Sequence, residues 1–193
     1  MLFLLLVVTV QDPASAGPPQ TRSFGPTVSV QLGDTRLTLP AARGQLPPSA
    51  SVPDHSHEGA VTHCLSVGEP GPGYLLVDDS DLGIAYAALQ DAPPPNAHQR
   101  LACPRSPEPV ALWYKGQAWS LASPPPMVIA ALGPPTSQRG DTLQWVVEWE
   151  WDEVDSSSAP LPNTVRAYGY AGLALVARRG RLAYLAVWRH EET

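Results

Sequence analysis

Gly172-Leu173-Ala174-Leu175-Val176-Ala177, the basic turn Arg178-Arg179-Gly180, and Arg181-Leu182-Ala183-Tyr184-Leu185-Ala186-Val187-Trp188-Arg189 are the residues that decide the fold. Two apolar runs separated by a short Gly-containing turn are the pattern of a hairpin, and Arg179-Gly180 supplies its turn. Both arms are apolar on both faces: Leu173, Leu175 and Val176 on one, Leu182, Tyr184, Leu185 and Val187 on the other. A strand covered on both sides reads this way, which places the pair centrally in a sheet.

Working outward, Thr142–Trp151 alternates with period two. Trp145, Val147, Trp149 and Trp151 share one face, while Gln144, Glu148 and Glu150 lie opposite with Val146. Residues two apart on a strand point the same way. The indole row reads as the inner face of a sandwich, because aromatic side chains bury large areas. The alternative is a glycan-stacking or partner surface through Trp149 and Trp151. The acidic face, running on to Asp152, Glu153 and Asp155, reads as a solvated rim that discourages edge-to-edge pairing.

Further strands are expected at Thr27–Leu32 and Thr35–Leu39, joined at Gly33-Asp34. Others are Ala60–Val67, Tyr74–Val77, Gly83–Leu89, Val110–Tyr114 and Gln117–Ala122 (joined at Lys115-Gly116), and Met127–Leu132. Only Leu82–Gln90 fits a helix as well as a strand. Twenty-three prolines cannot sit in long helices, because each removes a donor and clashes with the preceding turn. They cluster at 40–59 and 91–109, longer than ordinary connections and therefore functional or disordered in character. The fold class is all-β, an antiparallel sandwich or barrel-like domain with long Pro-rich loops.

The N-terminus gives an address. Leu2-Phe3-Leu4-Leu5-Leu6-Val7-Val8-Thr9-Val10 is too short for a membrane span, which needs about 20 apolar residues, but matches the core of a secretory signal. Ala14-Ser15-Ala16 follows as a small-x-small cleavage site, although no Lys or Arg precedes the apolar run. The expected organisation is a signal peptide at 1–16, a flexible mature N-terminus at 17–26 and a single β-rich domain at 27–193. The expected destination is secreted, periplasmic or cell envelope. Cys64 and Cys103, the only cysteines, are expected to form a disulfide in such a compartment. It closes a loop of about 40 residues, for which chain entropy gives roughly 4 kcal/mol.

The net charge is −6, from 18 acidic and 12 basic residues. Nucleic-acid affinity needs clustered positive charge to neutralise phosphates. The one basic cluster, Arg178-Arg179-Gly180-Arg181, has the form of a hairpin tip, so nucleic acid is not an expected partner.

Asp54-His55-Ser56-His57-Glu58, with His63 beyond, is the segment with metal-ligand character. In an extended chain His55 and His57 present two imidazoles to one side. His63, Asp54 or Glu58 would complete a shell suited to zinc or copper. The competing reading is a polar loop with solvated histidines beside Pro53. The order His55-x-His57-Glu58, with Cys64 a few residues on, resembles the copper-ligand strand of copper/zinc superoxide dismutases. The resemblance implies a copper or zinc centre with superoxide-dismutase-like chemistry. It covers under a tenth of the chain, and the chain departs from that family elsewhere. His98 and His190 do not match its later ligand, the glycine-rich stretch is missing, and Cys103 lies mid-chain. His57-Glu58 does not open a zinc-protease helix, because position 61 is Val61.

Asp78-Asp79-Ser80-Asp81 before Gly83 has the oxygen ligands calcium prefers, but it is equally the composition of a turn and lacks the calcium-loop spacing. No Gly-x-Ser-x-Gly elbow and no phosphate-cradling Gly-rich loop occurs. These readings converge on an exported, non-enzymatic β-domain acting through protein–protein contacts with an envelope or extracellular partner. The copper- or zinc-binding domain or metalloenzyme using His55, His57 and His63 is the alternative, and glycan binding through Trp149 or Trp151 a further one.

Overall fold

Val28, Val30 and Leu32 alternate along β1 (Val28–Leu32), and Gly33 at φ 56° turns the chain into β2 (Thr35–Leu39). In the computed structural model of the chain, which describes residues 25–42, 45, 61–68, 72–80, 83–93, 103–155 and 163–192, this hairpin belongs to the smaller of two sheets. The other elements follow in order: β3 (Val61–Val67), β4 (Gly73–Ser80), β5 (Gly83–Gln90), β6 (Arg105–Ser106), β7 (Val110–Tyr114), β8 (Gln117–Trp119), α1 (Pro125–Leu132), β9 (Ser137–Arg139), β10 (Thr142–Asp155), β11 (Asn163–Arg178) and β12 (Arg181–Glu192). The smaller sheet runs β2-β1-β7-β8 and the larger β6-β3-β4-β5-β12-β11-β10-β9.

All pairings are antiparallel except the short contact of β3 with β6. The all-β, antiparallel sandwich expected from the sequence is therefore the fold. β11 and β12 stand in the middle of the larger sheet, as their apolar composition requires. Their turn, like that of β7 and β8, has two residues at positive φ: Arg179 (52°) and Gly180 (76°), Lys115 (51°) and Gly116 (79°). That backbone matches the right-handed twist of the flanking strands.

The core lies between the sheets. Val28, Val30, Leu112 and Tyr114 from the smaller sheet meet Leu75, Val77, Leu89, Trp145, Leu173, Leu175, Leu185 and Val187 from the larger. The outer side of the smaller sheet is closed by its own side chains. Arg36 donates to the buried Ser29 hydroxyl at 2.7 Å and stacks 3.9 Å above the Trp113 ring, whose Nε1 donates to Gln31.

Met127–Leu132, expected as a strand, is part of α1 instead. Pro125 and Pro126 occupy its first two positions, where an N–H would have no intrahelical acceptor and its loss carries no penalty. Val128, Ile129 and Leu132 then fall on one helical face against the core, while Met127 is 61% exposed. The helix ends at Gly133 (φ 76°), whose N–H bonds to Ile129 and whose carbonyl accepts the Trp145 indole N–H at 3.0 Å. Residues 83–90, the stretch that fitted either state, are strand β5.

Other boundaries move too. β11 begins at Asn163, well before the expected Gly172, and β10 and β12 run on to Asp155 and Glu192. β8 ends at Trp119 where Gln117–Ala122 was expected. β4 extends through Asp78, Asp79 and Ser80, so the acidic run begins inside a strand, and the Asp78 carboxylate accepts the Thr62 hydroxyl at 2.9 Å. At the chain's start, Gly25 and Pro26 are tied down. Gly25 lies against the Trp149 ring, and the Pro26 carbonyl accepts Nη1 of the buried Arg189 at 2.9 Å. The signal peptide expected at 1–16 lies outside the described residues.

Candidate functional site

The outer face of the larger sheet carries the chain's most organised side-chain surface, and its layout follows from register. Three rows run across the strands. In the first, Gln90, Tyr184, Val176 and Thr142 stand side by side; in the second, Ala88, Ala186, Ala174 and Gln144; in the third, Tyr86, Trp188, Gly172 and Val146. A row of alanines between two rows of large residues makes a trough across β5, β12, β11 and β10.

One end of the trough is roofed. The hydroxyls of Tyr86 and Tyr184, from opposite walls, are hydrogen-bonded to each other. The rings therefore converge over Ala88 and Ala186, which are each only 1% exposed although they lie on an outer face. Burial, the Tyr184 bond and the neighbouring Asp78 charge hold the Tyr86 hydroxyl protonated well above the ordinary tyrosine range. It is a hydrogen-bonding group and not a general base.

Trp188 closes the third row by lying across Gly172. A Cβ on Gly172 would sit 2.3 Å from Trp188 Cζ2 and 2.9 Å from the Trp145 carbonyl. Glycine lets the indole approach the sheet at that point. What remains open is a concavity of about 610 Å³ over Ala174, walled by Tyr86, Tyr184, Val176 and Trp188, with Thr142, Gln144, Arg178 and Asp91 at its rim.

Further along the same face the chemistry changes. Tyr168 stands between Glu150 and Glu192, and Tyr170 between Glu148 and His190. These tyrosines are 50% and 40% exposed. The His190 ring lies 5.1 Å from that of Tyr170 and bonds to Glu192 at 3.0 Å. Arg166 reaches Glu150 at 3.7 Å and Asp152 at 4.0 Å, loose pairs between exposed groups. Four carboxylates (Glu148, Glu150, Asp152 and Glu192) thus surround two exposed phenols, with the Arg166 guanidinium among them.

A second hollow of about 730 Å³ opens at one end of the sandwich, where Tyr74, Asp91, Leu121, Pro125 and Arg181 meet. The start of α1 offers it no free N–H. The two residues that start α1 are prolines without an N–H, and the Met127 and Val128 N–H groups already bond to the Pro124 carbonyl.

The residues singled out in the sequence are dispersed. Cys64 on β3 and Cys103 are joined as a disulfide, Cα atoms 5.0 Å apart. His63 lies on β3 opposite Val77, in the row that carries Leu65 and Val67, while His55 and His57 lie outside the described residues. Among the described residues no three histidine, cysteine or carboxylate groups gather where they could hold a metal. The Trp145–Trp151 row faces inward. Trp145 is buried, and half-buried Trp149 is packed between Gly25 and Gly169 with the Arg189 guanidinium 5.1 Å from its ring.

Sequence reasoning gave no role to Tyr86, in a stretch that fitted strand or helix alike, or to Tyr184 and Trp188, in an arm read as covered on both sides. Among the described residues one face of β11 and β12 is covered by the second sheet, and the other by their own aromatic side chains. The signal that separates the cases is a single alanine two residues from an aromatic on either side (Tyr184-Leu185-Ala186-Val187-Trp188). Among the described residues no helix is long and apolar enough to cross a membrane. Comparison with protein-family profiles, curated proteins and solved structures finds no match to this chain.

Proposed function

We propose that the chain is an exported, non-enzymatic β-sandwich domain that acts through contacts with a protein partner in the cell envelope or outside the cell. The observation that carries this reading is the exposed pair Tyr168 and Tyr170, flanked by Glu148, Glu150 and Glu192 on one sheet face. Exposed tyrosines supply rigid apolar area with a polar tip, the property that enriches them at interfaces. Carboxylates on both sides of a phenol suit an arginine or lysine, which gains ion pairing and a cation–π contact together. The partner surface is therefore basic, in keeping with the chain's net charge of −6. Like charges set against one another make a second copy of this face a poor occupant. The disulfide and the N-terminal apolar run support an oxidising destination.

The test is recovery of the native protein from its own source at low ionic strength. A defined complex with a basic protein is expected, weakened by salt and at least about tenfold by Tyr168→Ala with Glu150→Lys. A lone monomer at low salt, or a complex indifferent to those substitutions, overturns the reading. N-terminal sequencing tests export: the mature chain is expected to begin at or near Gly17, and an intact Met1 contradicts it.

A further inference from the structure

We propose that the alanine-floored trough on the outer face of the larger sheet is a binding site for a neutral sugar ring. This goes beyond the partner contact proposed above and rests on different residues.

The argument begins with shape. The first and third rows, four residues apart along each strand, stand about 13 Å from each other at the usual rise per residue. Tyr184 and Trp188 are such a pair on β12, and beside them on β11 the small Ala174 leaves the space unfilled. The concavity of about 610 Å³ is of the size that holds small ligands, about 300–1,000 Å³. Ala174 at its floor is 4% exposed, a small apolar base on which a ring can rest.

Chemistry then selects the ligand. The floor and walls are hydrocarbon and aromatic, so one side of the ligand must be apolar. The rim is polar and mixed. Thr142 brings a hydroxyl, and Gln144, whose Oε1 already accepts the Ser137 hydroxyl at 3.0 Å, keeps its N–H donors for another acceptor. The Tyr86–Tyr184 bond uses one of two phenolic hydrogens and leaves the other to donate. Arg178 and Asp91 carry opposite charges and together favour neither anion nor cation.

A pyranose has this pattern: axial C–H bonds on a face that stacks on an indole, and hydroxyls around an edge that both donate and accept. A purely aromatic ligand would fill the trough but leave the Thr142 and Gln144 groups desolvated without partners, which disfavours it.

Tryptophan fluorescence and calorimetry on the full chain with cellobiose, maltose, lactose and mannobiose test the site. At least one of these is expected to bind saturably, in the millimolar range or tighter. Ala174→Leu, which fills the floor, is expected to weaken that binding at least about tenfold, while Met127→Ser on the exposed face of α1 leaves it unchanged. If Ala174→Leu fails to fold, Gln144→Leu at the rim decides, with loss of binding again expected. No saturable binding of any of the four up to about 50 mM overturns the proposal, as does binding untouched by both substitutions. So does saturable binding of indole or phenol with none of the saccharides.

Discussion

The hydroxyl of Tyr86 is hydrogen-bonded to that of Tyr184, a residue 98 positions later in the chain. The pair joins β5 to β12 across an outer sheet face and seals Ala88 and Ala186 beneath it. Removing one hydroxyl leaves the other partly buried and short of a partner. Tyr86→Phe or Tyr184→Phe is expected to cost about 1 kcal/mol, and the double variant less than the sum of the two. Urea denaturation of the four proteins measures the coupling; strict additivity would show that the bond contributes nothing.

Alkaline pH is expected to unfold the domain through its tyrosines. Burial pushes the Tyr114 hydroxyl up to about 12 from an ordinary 10.0, and Tyr86 is displaced in the same direction. The unfolded chain therefore loses these protons first. Stability is whole below pH 10 and falls as pH rises from there through 12, because the unfolded state binds fewer protons in that window. Denaturation midpoints at about pH 8 and about pH 11 give the slope, which Tyr114→Phe should flatten. An unchanged slope in that variant removes Tyr114 from the account.

Gly172 is fixed by Trp188. A methyl group there meets the indole at 2.3 Å and a backbone carbonyl at 2.9 Å, so Gly172→Ala is expected to destabilise by about 1–3 kcal/mol. Placing Gly172→Ala in a Trp188→Ala background should recover much of that cost. Thermal melts of the three variants decide it, and a penalty equally large in both backgrounds would assign the strain to the backbone alone.

Arg189 is 4% exposed on the inward face of β12, where its guanidinium bonds to the Pro26 carbonyl and the Glu191 carboxylate. Arg189→Leu should cost about 2 kcal/mol. It should also speed amide exchange at Thr27 and Val28, next to the carbonyl that Arg189 holds. Exchange at the wild-type rate would mean that the start of β1 is held by other contacts.

The Cys64–Cys103 bond ties central-to-edge strand β3 to the segment entering β6, across a separation of 39 residues. Reducing it, or replacing both cysteines by serine, is expected to lower stability by about 2–5 kcal/mol. Chemical denaturation with and without reductant is the measurement. A difference under about 0.5 kcal/mol would leave the parallel β3–β6 contact as the tie between these segments.

Local pattern alone determined much of this protein. Period-two alternation from Val28 to Leu32, the positive-φ turns at Lys115-Gly116 and Arg179-Gly180, and the doubly apolar β11–β12 pair were all legible, because strand alternation and two-residue turns are set by near neighbours. The inward direction of Trp145 and Trp149 was legible for the same reason. The helix at Pro125–Leu132 was misread: six apolar residues in a row carry no period, and only the core beneath Val128, Ile129 and Leu132 selects the helical spacing. Tertiary structure alone decided which sheet face a second layer covers, and therefore that Tyr86, Tyr184 and Trp188 line a trough. It also brought Tyr168 between Glu150 and Glu192. Those neighbours come from three strands, and the registers that align them depend on long-range pairing to which each strand's own sequence contributes only its alternation.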